Sequence, residues 1–397
     1  MKFVFITRTV WVLSLVSLLT DMASEMLYPV MPFYLERIGF SVLLIGLLEG
    51  MAEAIAGLSK GYFGKQSDHK GKRVPFVQIG YAFSAISKPL MAVTVYPLWV
   101  FFARTLDRLG KGIRTGARDA LLSDEASPAT RARVFGFHRS MDTLGAVAGP
   151  ALALVYLYFY PGQYRTMFLL AFIPGFLAIV LTYLLKEKPK PAQPHTQKIS
   201  FFYFFRYWKE APVAYRQLVV GLLIFALINS SDVFLLLRVR QAGLSDVQAI
   251  GAYIFYNLIY ALAAYPFGIW ADRIGVKRVF LIGLLLFCIV YAGMIVVNTL
   301  PGFVFLFFIY GLFAAATEGV AKAWISNITP STETATAIGT YTGFQSICAL
   351  LASPLTGWIW FQFGAGMAFG ITAATTALLV GYFMLFVKAP VYHNVKK

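Results

Sequence analysis

Asp21 and Glu25 stand four residues apart inside a long apolar run, and Glu49 and Glu53 repeat that spacing in the next run. Four residues is close to one helical turn, so each pair of carboxyls shares a helix face. An ionisable group near a bilayer centre costs about 2.5–3.5 kcal/mol on insertion scales, which marks it as a working group or half of a buried pair. The following runs add Lys88 directly before Pro89, then Arg104, Asp107, Arg108 and Lys111, then His138, Arg139 and Asp142. Desolvation and a neighbouring guanidinium act on a buried carboxyl in opposite directions, and their balance can set a proton site that works near neutral pH. Glu25, Glu53 and Arg104 fall at similar depths, about 15–21 Å along their helices at 1.5 Å per residue. Asp21, Glu25, Glu53 and Arg104 are therefore the proton-coupling candidates. Glu49, Lys88, Asp107, Arg108 and Asp142, with Asn229, Asp232 and Asn257, are the candidates for a substrate cavity. Lys88 and Arg108 would alternatively neutralise carboxylates as permanent pairs, and a partner is expected for Lys88.

The frame that must hold these groups is written twice. Gly64-Lys65-Gln66-Ser67-Asp68-His69-Lys70-Gly71-Lys72-Arg73 returns as Gly268-Ile269-Trp270-Ala271-Asp272-Arg273-Ile274-Gly275-Val276-Lys277, an offset of 268 − 64 = 204 positions. The same offset relates Gly39 to Gly243, Pro97 to Pro301 and Pro150 to Pro354. Glycine and proline mark turns and kinks, so their coincidence makes one half of the chain a structural copy of the other. Duplicated halves in apolar sequence are the layout of a secondary transporter. The copy also acts as a control. Glu25 corresponds to Asn229, Glu53 to Asn257, Lys88 to Ala292, Arg104 to Phe308 and Asp142 to Ser346. The scaffold builds equivalent helices without these charges, so they point to ion or substrate chemistry in the first half. Arg114 and Arg118 correspond instead to Glu318 and Lys322. Charge kept in both halves fits gating, with Asp68 as a partner for one of the two arginines. Gly64, Asp68, Gly71, Arg73, Arg114, Arg118, Gly268, Asp272 and Gly275 form the gating set.

The 397 residues are 59% apolar and 13% charged, where a soluble domain has about 25% charged residues. A membrane-crossing helix needs roughly 20 apolar residues. Twelve such runs follow one another from Val10–Leu35 to Gly366–Val387, the seventh being Leu218–Leu237. Beta barrels, with weak alternating segments of about ten residues, are excluded. The net charge of +16 would suggest nucleic acid in a soluble protein. Here Lys70, Lys72, Arg73, Arg131, Arg133, Lys277, Arg278 and the linker lysines fall on one side of the spans, leaving Arg37, Arg165, Arg238 and Arg240 on the other. This positive-inside bias puts both termini in the cytoplasm and makes anionic lipids, not nucleic acid, the partners of the basic loops. The first run is too long for a cleaved signal and carries Asp21 and Glu25 in its middle. Cys288 and Cys348 both lie within spans, so no disulfide framework is expected. His69, His138, His195 and His393 lack metal-ligand spacing. Without a G-x-x-x-x-G-K-[ST] loop, transport is not expected to be ATP-driven. No cofactor or metal is expected.

One polar break runs from Lys186 to Arg216. It opens with Lys186-Glu187-Lys188-Pro189-Lys190-Pro191, a proline-stiffened linker, and continues through an aromatic stretch, Phe201–Trp208. That stretch suits a short helix at headgroup level or an extension of the seventh span. The expected organisation is a six-helix bundle over 1–185, a cytoplasmic linker over 186–216 and a second bundle over 217–397. Six spans, a linker and six spans, with a loop motif after spans two and eight, resembles the major facilitator superfamily; the departure is His69, where that family usually has Arg or Lys. The resemblance implies two six-helix domains rocking around a central cavity. It also places Arg104 at the family's fourth-span arginine motif, which is associated with proton transfer. In span five, Gly136 followed by Gly145, Gly149 and Pro150 resembles the kink motif of the drug–proton antiporter branch, although Ala153 and Leu154 stand where that motif ends in paired glycines.

The expected fold is thus an all-α membrane protein with twelve transmembrane helices in two pseudo-symmetric six-helix bundles, a monomer in the bacterial inner membrane. The expected function is proton-coupled export of a small organic or amphipathic compound by alternating access, without enzymatic activity. Two other readings fit the same residues. One is proton-coupled uptake, with the cationic fourth span binding an anionic solute. The other is a lipid flippase or a non-transporting membrane receptor on the same scaffold.

Overall fold

A backbone inside hydrocarbon has no water to bond, so each apolar run must satisfy its own N–H and C=O groups, and a helix does so. The computed structural model describes residues 6–27, 31, 34–35, 38–39, 42–160, 162–187, 203–244 and 246–388. The helices are α1 (Arg8–Glu25), α2 (Val42–Lys70), α3 (Val74–Val93), α4 (Pro97–Asp124), α5 (Arg131–Phe159), α6 (Tyr164–Thr182), α7 (Tyr203–Glu210), α8 (Val213–Ile228), α9 (Val233–Gln241), α10 (Asp246–Ile274), α11 (Val276–Val296), α12 (Leu300–Ile328), α13 (Thr334–Phe363) and α14 (Ala365–Phe386). Among the described residues, eight helices are long and apolar enough to cross a membrane, and α8 is a shorter apolar one. α4 falls outside that group because Arg104, Asp107, Arg108, Lys111, Arg114, Arg118 and Asp119 interrupt it. Apolar side chains also point outward, with Tyr158 81%, Leu385 80% and Phe361 82% exposed, a surface suited to lipid.

The seventh apolar run differs from its sequence reading. It is not one helix: α8 ends at Ile228, Asn229 takes φ −83° and ψ 86°, and α9 begins at Val233. Asn229-Ser230-Ser231-Asp232 explains the break, because short polar side chains compete with the helix for backbone hydrogen bonds. From Tyr203 the aromatic stretch lies in a separate short helix, α7.

The chain divides into two compact units. The first contains Met1–Glu125, Met141–Lys209 and Pro330–Ser346; the second contains Ala126–Ser140, Glu210–Thr329 and Ile347–Lys397. Each unit therefore holds a helix end from the other half of the sequence. In the first, α3 packs on α4 and α6, α2 on α4, and α1 on α6. In the second, α11 packs on α12 and α14, α10 on α12, and α8 on α14. These are the same four pairings in the same order, so the duplicated sequence gives duplicated packing. Helices in lipid associate through close van der Waals fit, for which small residues clear the way. A Cβ on Gly80 of α3 would lie 2.7 Å from the Gly110 oxygen of α4. That backbone-on-backbone crossing fixes the side chains around it.

Candidate functional site

Where α3 crosses α4, Lys88 is buried and its Nζ donates to Asp107 Oδ1 at 2.7 Å and to Ser24 Oγ of α1 at 3.1 Å. Arg104 approaches the other Asp107 oxygen at 3.5 Å, so one carboxylate faces two cations. Pairing meets the expectation for Lys88 and offsets the cost of burying an ammonium. Two turns beyond Asp107, Arg114 donates to Ser84 Oγ at 2.6 Å and lies over the Tyr81 ring, 4.6 Å from its centroid.

A second group joins α1, α4 and α5. Ser17, one turn before Asp21 on α1, donates to Asp142 of α5. Arg118 donates to Ser17 Oγ at 3.3 Å and is paired with Asp119 at 2.9 Å. Glu25 lies one turn beyond Asp21 on α1. The side chains of Glu49 and Glu53 lie outside the described residues. α5 reaches this group by pressing on α1. A Cβ on Gly149 would lie 2.6 Å from the Met22 oxygen and 2.7 Å from the Met26 nitrogen, and one on Gly145 would meet the Leu18 oxygen. Pro150, which has no N–H to bond, lies within α5 directly after Gly149.

In the second unit the polar centre is Asp232, at the break between α8 and α9. Tyr310 donates to its Oδ1 at 2.7 Å and Tyr256 to its Oδ2 at 3.1 Å. Asn257 is buried and donates to the Tyr253 carbonyl of its own helix at 3.0 Å. Asn229 lies at the break itself, its Oδ1 buried without a partner among the described residues. Sequence reasoning selected Asp232 and missed Tyr256 and Tyr310. The available signal was a phenol inside an apolar span, whose hydroxyl needs a partner when buried.

The gating residues form two related sites. Asp68 accepts Arg73 at 2.9 Å on Oδ1, and on Oδ2 it accepts both the Thr336 N–H and hydroxyl at 2.8 Å. It does not take Arg114 or Arg118, whose guanidiniums are held by Ser84, Ser17 and Asp119. Burial raises the Asp68 carboxyl above its ordinary range, while Arg73 and Thr336 act against that rise. Arg73 also meets Asp124 and donates to the Ser331 carbonyl at 2.9 Å. Its own N–H, with that of Val74, is received by Glu187 at 2.8 and 2.9 Å, so the first linker carboxylate caps α3. Asp272 accepts the N–H of Ala132 at 3.0 Å and that of Arg133 at 3.1 Å, and pairs with the Arg133 guanidinium at 2.8 Å. The two sites match position for position, since 272 − 68 = 204 and 336 − 132 = 204. Each aspartate meets the first turn of a helix, where free N–H groups and the dipole favour an anion. Gly64 and Gly268 let that turn approach, because a Cβ would meet the Ala335 or Ala132 carbonyl. Gly71 and Gly275 turn the chain into the next helix at φ 61° and 101°, values that side chains rarely adopt.

Repeated membrane-crossing helices in two related units, with charges held inside the spans, define a multi-pass secondary transporter for a small molecule. The chain belongs to the Major Facilitator Superfamily, whose family model matches residues 13–258 and 239–397. It is 32% identical over 388 residues to an uncharacterized MFS-type transporter of Methanocaldococcus jannaschii, covering 96% of this chain and 95% of that protein. Among solved structures, the human organic anion transporter MFSD10 superposes with a TM-score of 0.78 at 17% identity, covering 95% of this chain and 99% of that one. The E. coli fucose:proton symporter FucP gives 0.78 at 12% identity, covering 96% and 98%. At these identities the two structures speak for the fold, an all-α membrane protein of the major facilitator type.

Proposed function

We propose that this chain couples proton movement to the export of a small organic or amphipathic compound by alternating access. The observation that carries the proposal is the bonded link from Arg118 of α4 through Ser17 of α1 to Asp142 of α5, which ties a carboxyl to three helices of the bundle on the helix face that leads to Asp21 and Glu25. An intramembrane carboxyl is cheaper to bury when it holds a proton. Losing that proton leaves a charge whose pairing a rearrangement of α1 against α5 changes, so protonation and helix movement are linked. Glu25 adds a further carboxyl on α1, Glu53 is the candidate on α2, and Arg104 is the modulating charge. Support for export comes from the Gly145, Gly149 and Pro150 motif, which joins α5 to α1 beside this link.

The test is solute-driven proton flux in vesicles containing the purified protein, screened over a metabolite and drug panel. Asp21→Asn, Asp142→Asn and Glu25→Gln should lose coupling while keeping downhill solute exchange. Coupling intact in all three, and in Glu53→Gln, would overturn the assignment. Both termini and the 186–216 linker are assigned to the cytoplasm; labelling of cysteines at positions 190 and 396 from outside intact cells would refute that orientation.

A second reading is proton-coupled uptake of an anionic solute. It draws on Lys111, an exposed cation on α4, the helix that also carries Arg104 and Arg108. Accumulation of an anion, with loss in Lys111→Gln, would favour it.

A further inference from the structure

Asp232 occupies the position before α9 where an aspartate ordinarily caps the helix by accepting a backbone N–H. Its side chain makes no such cap bond. Both oxygens instead receive phenolic hydroxyls, from Tyr310 at 2.7 Å and Tyr256 at 3.1 Å. Phenols satisfy lone pairs but bring no positive charge, and no cationic side chain pairs with Asp232 among the described residues. The nearby arginines are committed elsewhere. Arg238 donates to the Met294 and Val297 carbonyls and to Asn298 Oδ1 at 2.7–3.1 Å, while Arg139 holds Glu318 and Tyr260.

An intramembrane carboxylate without a counter-charge is expensive, so the missing cation should come from outside the chain. Three features around it suit a cation. The Tyr256 and Tyr310 rings lie 5.0 Å apart, and Phe287 lies 6.4 Å from Tyr310; aromatic faces attract cations within about 6 Å. The Oδ1 acceptor of Asn229 is buried and has no hydrogen-bond partner among the described residues. The break also presents the C-terminus of α8, whose dipole ends in partial negative charge. The duplicate half lacks this arrangement. Subtracting 204 from 232, 256 and 310 gives Tyr28, Ala52 and Leu106, so the scaffold does not require the acidic, tyrosine-lined centre.

We infer that Asp232, with Tyr256 and Tyr310, receives the positively charged nitrogen of an organic amine or quaternary ammonium, making the transported solute an organic cation. The inference rests on the transporter reading above and names the substrate class for it. Carboxylate and aromatic faces together favour an alkylated ammonium over a strongly hydrated metal ion, because its N-methyl or methylene groups pack against the rings.

The test uses the full-length protein in detergent micelles and calorimetric titration with tetramethylammonium, benzyltrimethylammonium and benzylamine, with benzenesulfonate as the anionic control. At least one ammonium should bind saturably, and benzenesulfonate should not. Asp232→Asn keeps the shape of the site and should weaken ammonium binding about 10- to 150-fold, as expected for losing a charge-assisted interaction. Tyr310→Leu removes a ring and should weaken binding several-fold; it answers the same question if Asp232→Asn fails to fold. Absence of ammonium binding, equal binding of benzenesulfonate, or unchanged affinity in the folded variants overturns the assignment. If solute-driven proton flux persists in the wild type, that failure removes only the cation reading. Ammonium binding without flux for any solute overturns the transport reading instead.

Discussion

The carboxylate of Asp68 accepts both the backbone N–H and the hydroxyl of Thr336, each at 2.8 Å, in the first turn of α13. The two residues are 268 positions apart in the chain. The bond places an anion at a helix N-terminus, where the dipole strengthens it.

Asp68→Asn should loosen that helix end. Losing a charge-assisted hydrogen bond is worth about 1.5–3 kcal/mol, a shift of roughly 10- to 150-fold in the opening equilibrium. Hydrogen exchange followed by mass spectrometry should show faster exchange in peptides covering residues 334–342. Turnover should fall more than solute affinity. Unchanged exchange and turnover in well-expressed protein would remove the latch role.

The second copy should tolerate the same change better. Arg73 corresponds to Lys277, whose Nζ is held by the Met384 and Val387 carbonyls at 3.1 and 2.7 Å rather than by the aspartate. Asp272 pairs instead with Arg133, whose side chain is 18% exposed where that of Arg73 is 3% exposed, so Asp272→Asn breaks a better-screened pair, and exchange over residues 131–136 should rise less than exchange over 334–342 does in Asp68→Asn. A larger rise would show that the basic residue of the first motif contributes little.

Lys88 and Asp107 should behave as one unit. Removing either partner alone leaves an uncompensated buried charge, at a cost of about 3–5 kcal/mol. The duplicate half places Ala292 and Gly311 at these two positions, so the fold accepts a neutral pair. Lys88→Ala should sharply reduce the melting temperature measured by size-exclusion after heating, and Lys88→Ala with Asp107→Asn should recover much of the loss. Additive losses would contradict the pairing.

Gly149 should resist enlargement. A Cβ there would stand 2.6 Å from the Met22 oxygen, and overpacking of this kind costs about 1–3 kcal/mol. Gly149→Ala should destabilise the protein and disturb the Ser17–Asp142 contact between α1 and α5. Gly381→Ala, where nothing lies within 4 Å of the new methyl, should be neutral or slightly stabilising. Equal heat sensitivity of the two variants would show that α1 and α5 do not depend on close approach.

Much of this protein is legible along the chain. Apolar length sets the spans, because a bilayer imposes one thickness on every helix. The 204-residue offset sets the duplication, since turns and kinks demand glycine and proline wherever they recur. The need for a partner at Lys88 follows from charge and hydrophobic surroundings alone. That the partner is Asp107 follows only from the crossing of α3 and α4 at Gly80 and Gly110, which brings together residues 19 apart. The break at Asn229 is hidden in the sequence because hydropathy averages over a whole span, while a helix can end on a few competing polar side chains. The setting of Asp232 depends on the rotation of α10 and α12, which aims Tyr256 and Tyr310 at one carboxylate. Residue types determined which groups need partners; helix packing decided which partners they meet, because directional bonds depend on angles and distances that spacing along a chain does not carry.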